Sequence, residues 1–271
     1  MIRIFSLLVG AFFTLSLLAS FLMGAFTFAQ EGKPETAEKA FHKLPKELHL
    51  ASDGAFGKFD KQQLQRGFQV YQEVCAACHS LHYVSYRDLA ALGYNEDEVK
   101  AIAGKATINA ADPLTGEMAD RPGIASDRFP KVVYAGKGSP PDLSLITKAR
   151  HHGSAYVYSL LTGYEQQPAE LVKRFPDSKT GDGLYYNPYF ANLNLAMAAP
   201  LTGEGQVTYS DGTKATVDQM AQDVAAFLTW TAEPKLDKRK QTGWVVLGFL
   251  LFATVLAYMS YRNIWAEKKG H

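Results

Sequence analysis

Cysteine is scarce in this chain: only two occur among 271 residues, Cys75 and Cys78. Two thiols cannot complete a thiolate zinc site, and a disulfide between residues so close in the chain would be strained. An excess of one charge is also absent, because the formal net charge at pH 7 is +1 and the basic residues are scattered. Nucleic-acid-binding domains usually gather basic residues on one face. We therefore expect neither a thiolate zinc site nor a nucleic-acid partner.

The two cysteines lie in Cys75-Ala76-Ala77-Cys78-His79, which has the C-x-x-C-H spacing of a c-type haem attachment site. Two thiols on one helical turn can each form a thioether to a haem vinyl group, and the adjacent imidazole can bind the iron. A redox dithiol needs no such histidine. The motif therefore predicts one covalently bound haem c with His79 as its proximal ligand. Because this haem is attached outside the cytoplasm, the chain also needs an export signal.

A second axial ligand is expected from methionine, which raises the haem potential relative to a second histidine. Of the six methionines, four are set aside because they lie in apolar terminal segments or on the core face of a helix: Met1, Met23, Met220 and Met259. Met118 lies in a polar loop, whereas Met197 lies in an apolar loop that ends at Pro200. The residues alone favour Met197, with His151 or His152 as the alternative ligand.

Hydrophobic periodicity predicts two main helices in the soluble part. The first begins at Asp60, which can cap it, and carries the apolar residues Leu64, Phe68, Tyr71 and Val74. Gly67 on this helix either admits a second helix at close range or is merely tolerated. The second helix ends near Trp230 and has the apolar positions Val217, Met220, Ala221, Val224, Phe227 and Leu228.

Weaker patterns complete the secondary-structure prediction. We expect short helices at Asp88–Leu92, from the acidic cluster Glu96–Glu98, after the lead-in Pro140–Leu143 to about Arg150, and at Ala155–Leu161. Three stretches lack periodicity and are expected to be extended or irregular: residues 30–59, 107–141 and 175–190.

Two apolar runs are long enough to cross a membrane. Gly243–Tyr261 has 19 uncharged residues bordered by Trp244 and by aromatic residues at its other end, which is typical of a membrane span. Ile4–Ala29 has 26 uncharged residues and is either a cleaved signal peptide or a retained anchor. Lysine and arginine near Gly243–Tyr261 are balanced on its two sides, so the haem motif sets the orientation instead.

The chain resembles the cytochrome c1 family, whose members are haem subunits of cytochrome bc1 complexes. The likeness covers nearly all of residues 45–265. It is carried in chain order by Leu64–Leu81, Arg121-Pro122-Gly123, Pro140-Pro141-Asp142-Leu143-Ser144, Ala149-Arg150-His151, Leu160-Leu161-Thr162-Gly163-Tyr164, Tyr186-Asn187-Pro188-Tyr189-Phe190, the Met197 loop and Asp211-Gly212-Thr213. Two departures are a short segment between Phe129 and Pro140, with Ala135–Gly138 in place of an Asn-rich stretch, and a long N-terminal apolar run.

The resemblance implies a mainly α, cytochrome c-like haem domain with long irregular loops, a C-terminal transmembrane helix and an N-terminal apolar helix or signal segment. The expected parts are residues 1–29 as signal or anchor, 30–240 as a periplasmic haem domain, 241–262 as a membrane anchor and 263–271 as a cytoplasmic tail. The residues that the resemblance assigns to the haem are Cys75, Cys78, His79, Met197 as sixth ligand, and Arg150 and Tyr156 at a propionate.

The function that the resemblance implies is single-electron transfer from the Rieske iron–sulfur protein to a soluble or membrane-bound c-type cytochrome, beside cytochrome b in a dimeric complex of a bacterial inner membrane. No residue is expected to act as a catalytic acid, base or nucleophile. Two other classes of haem protein would have different sequences. A shuttle cytochrome would have a smaller domain on a flexible linker, and a haem peroxidase would need an open iron position in place of Met197.

Overall fold

The computed structural model describes residues 2–31, 35–112, 115–136 and 138–266. The described chain is mainly helical, as predicted. The α-helices are α1 (Ile2–Glu31), α2 (Ala37–Phe41), α3 (Lys61–Val70), α4 (Glu96–Gly104), α5 (Ile146–Ala149), α6 (Gly153–Leu161), α7 (Ala169–Arg174), α8 (Val217–Ala232) and α9 (Leu236–Ala266). A π-helical turn follows α3 at Tyr71–Cys75, and 3-10 helices lie at Tyr86–Leu92 and Pro176–Ser178.

Helices α3 and α8 form the centre of the core. Asp60 caps α3 as predicted, its carboxylate accepting from the amide of Gln62 at 2.9 Å. A Cβ added at Gly67 would lie 2.0 Å from the carbonyl oxygen of Asp223 on α8, so the two backbones touch here. The close-approach interpretation of Gly67 is therefore correct. Beside this contact Phe68 and Phe227 are buried, with ring centroids 5.5 Å apart, and each such side chain contributes about 1.5–3 kcal/mol by burial.

An ion pair ties the same two helices together. The guanidinium of Arg66 on α3 donates to both carboxylate oxygens of Asp223 on α8, at 2.9 and 3.3 Å. It also donates to Asp211 at 2.8 Å. The Asp223 carboxylate is fully buried, and a buried charge needs such paired hydrogen bonds to offset its desolvation. The Arg66 contacts therefore fix the register of α3 against α8.

Two small antiparallel sheets lie among the loops. Strands β1 (Thr107–Ala111) and β2 (Met118–Pro122) form a hairpin, and β3 (Tyr185–Tyr186) pairs with β4 (Asn194–Leu195). The prediction of an irregular chain over 107–141 is thus wrong for the hairpin. Its strands have exposed or half-buried residues throughout, and only β1 shows a short alternation, so the apolar signal was weak. A side-chain bond of 2.7 Å from Asn109 to Asp120 supports the pairing.

Some short helices also differ from prediction. Helix α2 begins at the cap Thr36 inside the stretch 30–59 expected to be extended, and α7 was not predicted. Helix α5, at Ile146–Ala149, follows the lead-in Pro140–Leu143 and ends close to Arg150 as expected. Elements of four to six residues are too short for a hydrophobic period to show. The helices at 86–92, 96–104, 153–161 and 217–232 confirm the predicted ones.

The described chain divides into two compact units. One contains α1, α2 and α7, and the other contains α3 to α6, α8, α9 and both sheets. In the first unit, Arg174 of α7 pairs with Glu35 at 2.8 Å. Helices α1 and α9 are each long and apolar enough to cross a membrane, over Arg3–Ala29 and Leu236–Ala266. Residue 137 of the short segment and residues 267–271 of the expected tail lie outside the described residues.

Candidate functional site

The haem motif begins where α3 changes its winding. In the turn Tyr71–Cys75 the helix becomes π-helical, with the amide of Ala76 bonded to the carbonyl of Tyr71 at 2.8 Å. The amides of Cys78 and His79 then both bond to the carbonyl of Cys75, at 3.1 and 2.9 Å. These bonds place the two cysteines one helical turn apart. Both thiols are free, so the donors expected for a haem c are present and unbridged.

The imidazole of His79 is oriented by its Nδ1 atom, which lies 2.8 Å from the carbonyl oxygen of Pro141. A carbonyl oxygen only accepts hydrogen bonds, so Nδ1 carries the proton in this pair. The lone pair of the neutral ring is then on Nε2, the nitrogen left to bind a metal. The tautomer required of a proximal iron ligand is thus set by a backbone group.

The backbone carbonyl of His79 is also fixed by a hydrogen bond. The hydroxyl of Tyr71, a buried residue of the preceding turn, donates to the carbonyl oxygen of His79 at 2.8 Å. Burial raises the pKa of Tyr71, so its hydroxyl remains a donor across the physiological range. His79 is therefore fixed through its backbone by Tyr71 and through its ring by Pro141.

The segment after Pro141 is hydrogen-bonded to the residues that follow the C-x-x-C-H motif. The amide of Leu143 donates to the carbonyl of Ser80 at 2.9 Å, and the carboxylate of Asp142 accepts from the amide of His82 at 2.8 Å. The hydroxyl of Ser144, which is buried, accepts from the amide of Tyr83 at 3.1 Å. These bonds hold the Pro141 carbonyl in place. Spacing arguments missed this role, for which the only signal was the Pro-Pro-Asp-Leu-Ser motif.

The Cys75 thiol lies in an apolar environment. Burial raises its pKa to about 12, with a smaller contribution from Cys78. A thiol with this pKa is protonated at neutral pH, whereas the nucleophilic cysteine of a redox dithiol has a lowered pKa. The environment of Cys75 therefore favours a structural attachment point over a dithiol reagent.

Met197 lies shortly after β4 and is half-buried. The hydroxyl of Tyr164 donates to its backbone carbonyl at 3.0 Å, which fixes the loop. The competing candidates are more exposed than Met197. Met118 is 63% exposed on β2, and His151 and His152 are both exposed. Met220 is fully buried in α8, as the core prediction required.

Arg150 acts on Tyr156 through its charge. Arg150 is exposed, and Tyr156 lies on α6. Burial raises the pKa of Tyr156, and Arg150 partly opposes that rise. Burial raises the pKa of Tyr164, the residue bonded to Met197, and the charge of an ionised Tyr156 would add a smaller contribution.

The short segment between Phe129 and Pro140 touches both halves of the candidate site. The amide of Val132 donates to the hydroxyl of Ser80 at 2.7 Å, next to His79. At the other end, a Cβ built on Gly138 would lie 3.8 Å from the Cβ of Ala196, next to Met197. A pocket of about 150 Å³ opens beside the haem peptide, with Tyr71, Ala76, Phe129 and Val132 among its lining residues.

The donor set therefore fits a haem c. Two free thiols stand one turn apart, an imidazole exposes its Nε2 lone pair, and a half-buried thioether lies on a loop held in place. Among the described residues, no cluster of three or more His, Cys, Asp or Glu side chains could hold a metal ion.

Known proteins resemble this chain over most of its length. The sequence model of the Cytochrome C1 family matches residues 50–268. Cytochrome c1 1, a mitochondrial heme protein of Arabidopsis thaliana, is 41% identical over 267 residues, which cover 94% of this chain and 83% of that protein. Cytochrome c1 of Rhodospirillum rubrum is 43% identical over 233 residues, covering 80% and 85%.

A third relative combines two names. Cytochrome b/c1 of Bradyrhizobium diazoefficiens is 40% identical over 237 residues, which cover 79% of this chain and 34% of that longer protein. The family match spans far more than half of the chain and includes the haem motif, the Pro141 segment and the Met197 loop. This chain belongs to the cytochrome c1 family.

Proposed function

We propose that this protein is the electron-transfer subunit of a quinol–cytochrome c oxidoreductase, carrying one haem c bound covalently through Cys75 and Cys78. Its axial ligands would be His79 and Met197. The observation that carries the proposal is the 2.8 Å contact between Nδ1 of His79 and the carbonyl of Pro141. Within a C-x-x-C-H motif this contact leaves Nε2 free for iron, as a proximal ligand requires.

When bound, the haem supplies one-electron chemistry at its iron. The residues of the chain would bind and orient the group. Cys75 and Cys78 would hold it, Pro141 and Tyr71 would keep His79 in one orientation, and the Met197 thioether would favour the reduced metal. No acid, base or nucleophile is required of this chain, because the quinol chemistry belongs to another subunit.

Arg150 and Tyr156 are proposed to bind a haem propionate. A guanidinium presents a planar fork that matches a carboxylate through two hydrogen bonds. The effect of the Arg150 charge on the pKa of Tyr156 supports a shared role, since it indicates a phenol donor in the neighbourhood of the guanidinium. The exposure of Arg150 leaves its fork accessible.

The proposed partners are cytochrome b, the Rieske iron–sulfur protein as electron donor and a soluble or membrane-bound c-type cytochrome as acceptor, in a dimeric complex. The cytochrome b partner is supported by the relative whose name joins b with c1. The setting would be the respiratory or photosynthetic chain of a bacterial inner membrane.

The proposed topology places residues 30–240 in the periplasm, where haem is attached. Residues 241–262 would cross the membrane, and residues 263–271 would form a cytoplasmic tail. Helix α9, which is uncharged from Gly243 to Tyr261, supports this anchor. Residues 1–29 would be a signal peptide or a second anchor.

A redox titration of the purified complex combined with carbon monoxide addition tests the function. A haem with both His79 and Met197 bound is expected to titrate as a one-electron centre and to refuse carbon monoxide. Carbon monoxide binding to the wild-type c-type haem would contradict the Met197 assignment and favour a haem enzyme with an open iron position.

Subunit identification in the same preparation tests the proposed partners. Absence of a b-type cytochrome would overturn the proposed complex.

A further inference from the structure

The start of α9 is bonded to the loop that precedes α3, residues 51–59, which we call the clamp loop. The ammonium of Lys240 on α9 donates to three backbone carbonyls of this loop, those of Ser52 at 2.6 Å, Gly54 at 2.6 Å and Gly57 at 3.2 Å. An ammonium has three donors, so the loop satisfies all of them. Helix α9 is thus fastened to the haem domain where a flexible linker would otherwise be expected.

The clamp loop has a fixed shape. A Cβ added at Gly57 would lie 1.9 Å from the carbonyl oxygen of Asp53, so the chain folds back on itself here with room only for glycine. The amide of Phe59 bonds to the carboxylate of Asp237 at 3.2 Å. The amide of Leu50 bonds to the carboxylate of Asp53 at 2.8 Å. The tip of the loop is therefore presented in one orientation along α9.

The contacts also follow the axis of α9 in order. Asp237 binds Phe59, Lys240 binds the middle of the loop, and Trp244 meets its tip. At the tip, the ring of Phe56 stacks on Trp244 with centroids 4.8 Å apart and planes 6° from parallel. Since α9 rises about 1.5 Å per residue, Trp244 lies about 6 Å beyond Lys240 towards the apolar run. Phe56 is thus among the loop residues nearest to the membrane-spanning part.

Phe56 has an unusual position for a soluble loop. It is 78% exposed although one face of its ring is stacked. Trp244, its partner, is the second residue of the uncharged run Gly243–Tyr261 and occupies the place where membrane helices carry interfacial tryptophan. Lys58 and Lys238, on the loop and on α9, are both exposed.

We propose that the clamp loop is a second membrane contact of this chain, with Phe56 inserted among phospholipids at the depth of Trp244. We infer phospholipid as the binding partner because the exposed Phe56 ring extends the apolar surface of α9 sideways at its membrane boundary. Lys58 and Lys238 would meet lipid phosphates there. The contact fixes how the haem domain stands on the membrane. It rests on anchoring by α9 and does not depend on the haem or on the direction of electron transfer.

A photoactivatable phospholipid tests the proposal in the wild-type complex. The complex is placed in nanodiscs containing a phospholipid with a diazirine near the glycerol end of one acyl chain, then illuminated, digested with trypsin and mapped by mass spectrometry. We expect lipid adducts on the peptide 47–58, at Phe56, as well as on α9. The matched control is the peptide 132–137, which contains Val133, an apolar residue 94% exposed beside the haem peptide. It should carry no adduct.

Adducts on α9 with none on 47–58 would overturn the clamp-loop proposal while leaving the anchor intact. A complex with no adduct on α9 would instead contradict the anchor itself.

Two lysine variants add a second comparison. Lys240→Met should reduce the labelling of 47–58 because the loop is released, whereas Lys238→Met should leave it unchanged. Equal labelling of 47–58 in both variants would contradict the role of Lys240.

Discussion

Met197 is the single side chain on which the redox character of this protein is expected to depend most. Replacing it with leucine keeps the apolar volume but removes the soft sulfur that favours ferrous iron. We expect Met197→Leu to retain haem through Cys75 and Cys78 and to lower the midpoint potential by the order of 100 mV, within the roughly 0.8 V that axial ligands span. A redox titration of the purified variant measures this shift.

The matched control is Met118→Leu. Met118 is 63% exposed on β2, so its replacement should leave the potential unaltered. A Met197→Leu protein with the wild-type potential would refute the ligand assignment. His151 and His152 would then be the next candidates, and their replacement with glutamine would be tested in the same titration.

Arg150 provides the second prediction at this scale. Its positive charge disfavours the additional charge of ferric iron, so its removal should stabilise the oxidised state. We expect Arg150→Gln to lower the midpoint potential by the order of tens of millivolts or to weaken haem retention. Arg150→Lys, which keeps the charge but loses the planar fork, should have a smaller effect on the potential. If Arg150→Gln changes neither the potential nor the haem content, Arg150 is an ordinary surface residue.

Individual residues differ in how far sequence alone could place them. The sequence alone is enough to propose Cys75, Cys78 and His79, because their chemistry needs fixed spacing in one short peptide. Pro141 could not be proposed in this way, because its contribution is a backbone carbonyl, which every residue has, and it lies 62 positions from His79. Tyr164 was likewise missed as a support of Met197, since its partner is also a backbone carbonyl.

The packing of α3 against α8 is the feature at the scale of elements that can be tested most directly. A methyl group at Gly67 would enter the space of the Asp223 carbonyl, 2.0 Å away, and of the Phe227 Cβ, 2.7 Å away. The helices would have to separate, which typically costs about 1–3 kcal/mol. We expect Gly67→Ala to lower the thermal unfolding temperature of the complex, followed at the haem absorption band.

Gly104 offers a matched control for this substitution. It ends α4, and a Cβ added there meets nothing within 4 Å. Gly104→Ala should therefore be neutral or stabilising by up to about 1 kcal/mol, because alanine is the better helix former. A Gly67→Ala protein as stable as Gly104→Ala would show that the helix pair tolerates separation.

The elements themselves were predictable in proportion to their length. The apolar period of α3 and α8 spans several turns, and both helices lie where it predicted them. The hairpin β1–β2 was missed because its strands bury no continuous face. The π-helical turn at Tyr71–Cys75 was also unforeseen, since one wider turn leaves no mark on a pattern of buried residues.

At the scale of the whole molecule, the N-terminal segment determines how many membrane helices hold the haem domain. Helix α1 runs from Ile2 to Glu31, and Arg3–Ala29 is long and apolar enough to cross a bilayer. The described side chains of Arg3–Ala29 are exposed throughout, as the surface of a lipid-facing helix would be. A cleaved signal peptide can also be apolar and exposed. The length of the uncharged run therefore has to distinguish a signal peptide from a retained anchor.

We expect the segment to be retained. Its uncharged run of 26 residues exceeds both the apolar core of a usual signal peptide, about 7–15 residues, and the roughly 20 residues needed to span. Arg3 would then stay in the cytoplasm, and the haem domain would be held by two membrane helices. N-terminal sequencing and intact mass analysis of the purified subunit measure this directly, with peptides from α9 as the internal control for recovery of membrane segments. An N-terminus at or near Gln30 would overturn the two-anchor arrangement and leave α9 and the clamp loop to hold the domain.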